Sequence, residues 1–167
     1  MNIFLENIIR FFVLLFLQVL LFKNINLFGF LNPYPYLLFI LLYPVNGNRS
    51  ILLLTSFLLG LFLDMFLDSG GIHAAASVVL AFVRPSLFRF SFGLSYEYQT
   101  IKLNDSLTPE RFSFILVSVL LHHIVLFTLE AFQFKFIIDI LLRTLFSTIF
   151  TIITSIIIIY IIKPNKR

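Results

Sequence analysis

The sequence predicts an all-α polytopic membrane protein with about six transmembrane helices, and three observations carry that reading. Of 167 residues, 60% are hydrophobic and 12% charged, with mean hydropathy +1.04. A soluble domain carries about 25% charged residues, and a soluble chain of this length buries only about 70% of its unfolded surface, so the excess apolar surface is expected to face lipid. The apolar residues also fall into runs near the roughly 20 residues needed to cross hydrocarbon. Finally, Lys and Arg concentrate in alternate breaks between those runs, as orientation in a membrane requires.

The whole chain, 1–167, reads as one transmembrane domain. Its expected spans are approximately 8–22, 30–45, 50–68, 72–88, 110–132 and 136–162, with a cytoplasmic segment at about 89–109. The first run is apolar from Ile8 to Phe22, with Glu6 and Arg10 spaced to pair on one helix face. No small-residue cleavage site follows Phe22, so this helix is expected to be retained. The second, NPYPYLLFILLYP, opens on prolines and is short for a span, and a half-inserted helix is its rival reading. NGNRS then turns the chain, with Ser50 expected to cap the third helix. SGG (residues 69–71) ends that helix and a fourth, alanine-rich helix follows. In SLTPER, Thr108 is a cap, Pro109 the first helical residue and Glu110 part of the first turn. The last run is long enough to tilt or protrude.

With six spans both termini share one side. The breaks on that side carry Arg49, then Arg84, Arg89, Lys102 and Arg111, then Lys163, Lys166 and Arg167, whereas the opposite breaks carry only Lys23 and Lys135. The basic side is therefore expected to be cytoplasmic. With 23 Phe and no Trp, the six tyrosines Tyr34, Tyr36, Tyr43, Tyr96, Tyr98 and Tyr160 are left as the interfacial anchors. The stretch from Arg84 to Arg111 mixes aromatic and basic residues and is expected to lie on the membrane surface, with Arg84, Arg89 and Lys102 available to cytoplasmic partners.

Several polar residues lie inside the apolar runs. Gly60, Asp64 and Asp68 repeat every four residues and share one stripe of the third helix. Asp68 is expected at the outer end in water. Asp64 lies a turn deeper, where an ionisable group faces a bundle interior by default; a structural hydrogen bond or ion pair is expected there ahead of a ligand or proton site. Asp139 and Arg143 are spaced to pair, and Arg143 reaching Asp64 is the alternative that the sequence leaves open. Gly70, Ala74, Ser77 and Ala81 form one small-residue stripe, and Thr144, Thr148, Thr151 and Ser155 another, both suited to close helix packing. His73 is expected to be solvated at the SGG turn. His122 and His123 point about 100° apart on a helix and make no shared ligand face. No cysteine is present, so disulfides and thiolate chemistry are excluded. No phosphate loop, HExxH or GxSxG motif occurs. Neither an enzyme, a metal site, a cofactor nor a nucleic-acid partner is expected.

The stretch GLFLDMFLDSGG (residues 60–71), with FLQVLLF (residues 16–22) and the proline-bearing second segment, resembles the MreD family of rod shape-determining membrane proteins. The resemblance implies a bacterial inner-membrane subunit of the cell-elongation machinery, with no reaction of its own. Its implied partners are MreC and, directly or through MreC, the MreB filament, the RodA glycosyltransferase and a penicillin-binding transpeptidase. It also implies a fold similar to the substrate-binding subunits of energy-coupling-factor vitamin transporters. Candidate structural or interaction residues are then Gly60, Asp64, Asp68, Gly70, Gly71 and Arg143, in the glycine turn and the helices around it. The alternative function is a substrate-binding membrane subunit of a vitamin-type transporter, for which the spans offer few polar groups.

Overall fold

The computed structural model describes residues 3–27, 31–93, 107–131 and 137–162. The protein is all-α, with helices α1 (Ile3–Leu20), α2 (Leu38–Leu41), α3 (Arg49–Leu67), α4 (Ile72–Phe92), α5 (Pro109–Ala131) and α6 (Ile137–Ile162). Every one except α2 belongs to a stretch long and apolar enough to cross a membrane. Each long helix also keeps large apolar side chains on the outside, among them Phe12, Phe16, Met65, Phe82, Ile124, Leu141 and Ile149. Apolar residues both inside and out identify helices solvated by lipid, and the chain is a multi-pass membrane protein.

Consecutive long helices from α3 onward pack antiparallel. Asp64 on α3 meets His73 on α4, while Arg49 at the start of α3 meets Phe82 far along α4. Phe88 stacks on Phe114 of α5 with ring centroids 4.2 Å apart. Glu130 near the end of α5 pairs with Arg143 near the start of α6. The bundle therefore has a base, carrying Arg49, Arg84 and Phe114, and a mouth, carrying Lys23, Asp68, His73, Glu130 and Arg143.

Between α1 and α3 the chain returns from mouth to base in an unusual way. Lys23 bonds the Phe66 carbonyl at the mouth, and Arg10 bonds the Leu42 carbonyl toward the base. The second expected span is thus present as a crossing but not as a long helix. It consists of a 3-10 turn, Pro35–Leu37, and the single turn α2, flanked by chain without regular secondary structure. Prolines at 33, 35 and 44 explain this: each lacks an N–H and restricts the residue before it. Among the described residues the segment is also deeply buried. Tyr36, Leu37, Leu38 and Ile40 are fully enclosed by α1, α3, α4 and α5.

Backbone that lacks regular helix bonds is tolerated at membrane depth only where protein groups satisfy it. Gln18 Nε2 donates to the Pro33 carbonyl at 3.1 Å, and the Tyr34 N–H donates to Thr151 Oγ1 at 3.0 Å. The Tyr36 hydroxyl bonds His122 Nε2 at 2.8 Å. At the other end, Arg84 donates to the carbonyls of Leu41 and Tyr43, and Arg10 to that of Leu42 between them. Two guanidinium groups thus cover three successive carbonyls just where α2 ends. The positive charge also suits a helix C-terminus.

Three expectations are corrected here. Arg84 does not face cytoplasmic partners: it is 4% exposed, inside the bundle, over the Phe88 ring. The fourth helix runs past its expected end near residue 88, through Pro85 to Phe92, so Arg89 is an exposed helical residue and not part of a surface segment. Pro85 has no N–H for the Ala81 carbonyl, and Arg49 donates to the neighbouring Phe82 carbonyl at 3.1 Å while lying over the Phe82 ring. Lys102 and most of the expected surface segment lie outside the described residues. The cap of α3 is Asn48, whose side chain accepts from the N–H groups of Ser50 and Ile51, and not Ser50 as expected. Thr108 Oγ1 accepts from Arg111 N at the start of α5. Arg10 turns to Asn7 and to the Leu42 carbonyl.

Two predictions follow from this crossing. Single cysteines placed at Asn46 and at Asp68 should be labelled by an impermeant maleimide from opposite faces of membrane vesicles; labelling from the same face would exclude the return through the bundle. Arg84→Leu should destabilise the detergent-solubilised protein by about 3 kcal/mol, because it orphans buried carbonyls bonded to a charged donor. Arg84→Lys should recover only part of this, since the strongly hydrated ammonium cannot reproduce the stacking of a guanidinium plane over the Phe88 ring. Thermal melts of the two variants check both expectations.

Candidate functional site

The most concentrated polar chemistry is at the α3–α4 turn. Four residues join the helices there, and the turn needs left-handed backbone at Asp68 (φ 53°), Gly70 (φ 66°) and Gly71 (φ 95°). Glycine adopts this without strain, and Asp68 is the left-handed residue that closes α3. Gly71 is the residue at the N-cap of α4 but has no side chain with which to cap it.

Asp64 supplies that cap from the neighbouring helix. Its Oδ1 accepts from the His73 N–H at 3.0 Å and its Oδ2 from the Ala74 N–H at 2.9 Å. These are the second and third N–H groups of α4, the ones a capping side chain ordinarily binds. Oδ1 also accepts from Ser69 Oγ at 2.6 Å and from His73 Nδ1 at 2.9 Å. Asp64 is 6% exposed. A carboxylate at that depth is costly alone, but four donors and the positive end of α4 surround this one.

Gly60, one turn earlier, lets α4 come close enough for this. A Cβ at Gly60 would collide with the backbone of His73 and Ala74. The stripe seen in the sequence therefore has three distinct duties. Gly60 is the point of helix contact, Asp64 caps α4, and Asp68 is exposed in the turn. Gly70 is exposed in the turn as well, whereas Ala74, Ser77 and Ala81 are buried against neighbouring helices.

His73 is corrected by this arrangement. It is not solvated at the turn but 5% exposed, tied to Asp64 and packed beside Tyr34 and Tyr36. Arg143 is also corrected. It bonds neither Asp139 nor Asp64 in this structure but pairs with Glu130 at 3.0 Å and lies over the Phe127 ring. The i,i+4 spacing favoured Asp139, but that residue is on the exposed side of α6, and antiparallel packing brings Glu130 across. His122 and His123 diverge as expected: His122 bonds Tyr36, and His123 Nδ1 bonds Thr148 at 3.0 Å. The threonine stripe of α6 is buried, and Thr148 and Thr151 serve these contacts. Among the described residues no group of histidine and carboxylate side chains is arranged to hold a metal.

Above the Asp64–His73 pair, the mouth opens into a polar cavity of about 710 Å³. Gln18, Tyr34 and His73 line it along with Ser69 and Gly70, and Lys23, Asp68, Glu130 and Arg143 supply its charges. Sequence reading missed His73 and Gln18 as members of one site. The signal available was weak: His73 lies nine residues after Asp64, a separation that means contact only once the turn between them is known to be tight.

Comparison with known proteins returned no match: no protein-family model, no curated protein and no solved structure matches the chain.

The capping role of Asp64 predicts a graded series. Asp64→Leu should remove all four acceptor contacts and destabilise by at least about 3 kcal/mol. Asp64→Asn should cost less, because its carbonyl oxygen still accepts, but its amide would present a donor to one of the N–H groups. Asp68→Asn should be neutral within about 0.5 kcal/mol, since asparagine also tolerates left-handed backbone. Thermal unfolding in detergent gives the order. Equal stability of Asp64→Leu and the parent protein would exclude the cap.

Proposed function

We propose that this protein is a non-enzymatic scaffold subunit of the bacterial cell-elongation complex, placed in the inner membrane with both termini in the cytoplasm. In this reading it binds MreC and helps position and regulate peptidoglycan synthesis by RodA and a penicillin-binding transpeptidase alongside MreB. The observation that carries the proposal is the resemblance of GLFLDMFLDSGG (residues 60–71) to the MreD family. Those residues form the helix contact, cap and turn that join α3 to α4. An architectural role is further supported by what the buried polar groups do. Asp64 and Arg84 bind backbone, and His122 and His123 bond Tyr36 and Thr148 across helices. The cytoplasmic placement of the termini rests on the Lys and Arg asymmetry.

The cavity at the mouth favours a second reading, a substrate-binding membrane subunit of a small-molecule transporter. Affinity purification in mild detergent separates the two. Recovery of MreC with cell-wall synthases is expected; recovery of an ATPase pair with a coupling subunit would instead establish the transporter reading. With Arg84 buried, Arg89 and Lys102 remain as the cytoplasmic contacts in this proposal. The double variant Arg89→Glu/Lys102→Glu should reduce recovery of partners and rod-shape complementation several-fold at unchanged protein level. Unchanged recovery and cell shape would remove these residues from the interface.

A further inference from the structure

The cavity at the mouth has a floor that the fold itself does not explain. His73 and Gln18 are 95% and 99% buried, both line the cavity, and each retains a buried polar atom with no hydrogen-bond partner among the described residues. The two atoms are His73 Nε2 and Gln18 Oε1. Buried polar atoms are ordinarily paired, and each exception calls for an explanation.

The surrounding bonds define what these atoms offer. An ionised carboxylate only accepts hydrogen bonds, so the contact with Asp64 places the His73 proton on Nδ1 and leaves Nε2 as an acceptor. Gln18 uses its amide nitrogen to donate to the Pro33 carbonyl, which leaves Oε1 as an acceptor too. The floor of the cavity therefore asks for hydrogen-bond donors. The ring of Tyr34, also in the lining, offers an aromatic face suited to a cation. The walls carry two cations, Lys23 and Arg143, and two anions, Asp68 and Glu130. An ion of one sign would meet as many like charges as opposite ones. A molecule with both signs can arrange each end against its complement.

We propose that this cavity binds a small zwitterion, its primary ammonium donating to His73 Nε2 and Gln18 Oε1 and its anionic group facing Lys23 and Arg143. Such chemistry has two sources, a free soluble zwitterion and the headgroup of an ethanolamine phospholipid entering from the bilayer. The inference goes beyond the scaffold reading and does not depend on it.

The test uses the full chain. Isothermal titration in detergent with O-phosphoethanolamine measures the free compound, with glycerol 3-phosphate, which lacks the ammonium, as comparator. Native mass spectrometry from nanodiscs of equal phosphatidylethanolamine and phosphatidylglycerol measures the lipid. Saturable one-to-one binding of O-phosphoethanolamine, or preferential retention of one phosphatidylethanolamine, supports the proposal and names the source. The variant Lys23→Gln alters only an exposed wall residue and should weaken either signal about tenfold, the scale of one lost charge-assisted contact. No saturable binding in either arm, equal binding of glycerol 3-phosphate, or no effect of Lys23→Gln would each overturn it.

Discussion

A short, proline-broken crossing inside an apolar bundle leaves backbone groups that lipid cannot satisfy, and much of the interior chemistry answers that one constraint. The Pro35–Leu41 stretch is too short to complete its own hydrogen bonding. Each end is therefore met by side chains from other helices: Gln18 and Thr151 toward the mouth, Arg10 and Arg84 toward the base. An unpaired amide in hydrocarbon costs several kcal/mol, so these contacts decide whether the segment can be enclosed at all. Enclosing it also gives α1, α3, α4 and α5 a shared core, since Tyr36, Phe39 and Ile40 fill the space among them.

The same logic operates at the α3–α4 turn on a smaller scale. A glycine turn tight enough to set two helices in backbone contact cannot also supply a capping side chain, because the residue at the cap position is Gly71. Asp64 resolves the conflict from one turn inside α3. Its charge is acceptable there because the helix N-terminus, a hydroxyl and an imidazole converge on it. The proline in α4 is treated alike, with Arg49 bonding a carbonyl next to the break. In each place a charged group within or beside a span serves backbone from another element.

This pattern joins the two functional ideas. A scaffold needs a fixed shape, and cross-helix contacts of this kind fix the order and register of the helices. At the mouth end of the crossing segment, Tyr34 and His73 lie together in the lining of an open polar space. Two of its lining residues, Gln18 and His73, already hold the fold through their other atoms.

The chain's linear pattern alone specifies the lipid solvent, the helical class and most helix ends. Hydropathy over about 20 residues and local signals such as Thr108–Pro109 or the SGG break act within one element, so they can be read in one dimension. It also singled out Asp64 as the costly residue of its stripe. What Asp64 bonds to, that His73 is its partner, and that Arg84 turns inward to the Leu41 and Tyr43 carbonyls follow from how the helices pack. The preference of Arg143 for Glu130 over Asp139 follows from it as well. Each of these depends on which helices are neighbours and at what register. Spacing along one helix fixes which side chains share a face, but the groups that face them are set by antiparallel packing, which periodicity in a single chain does not encode.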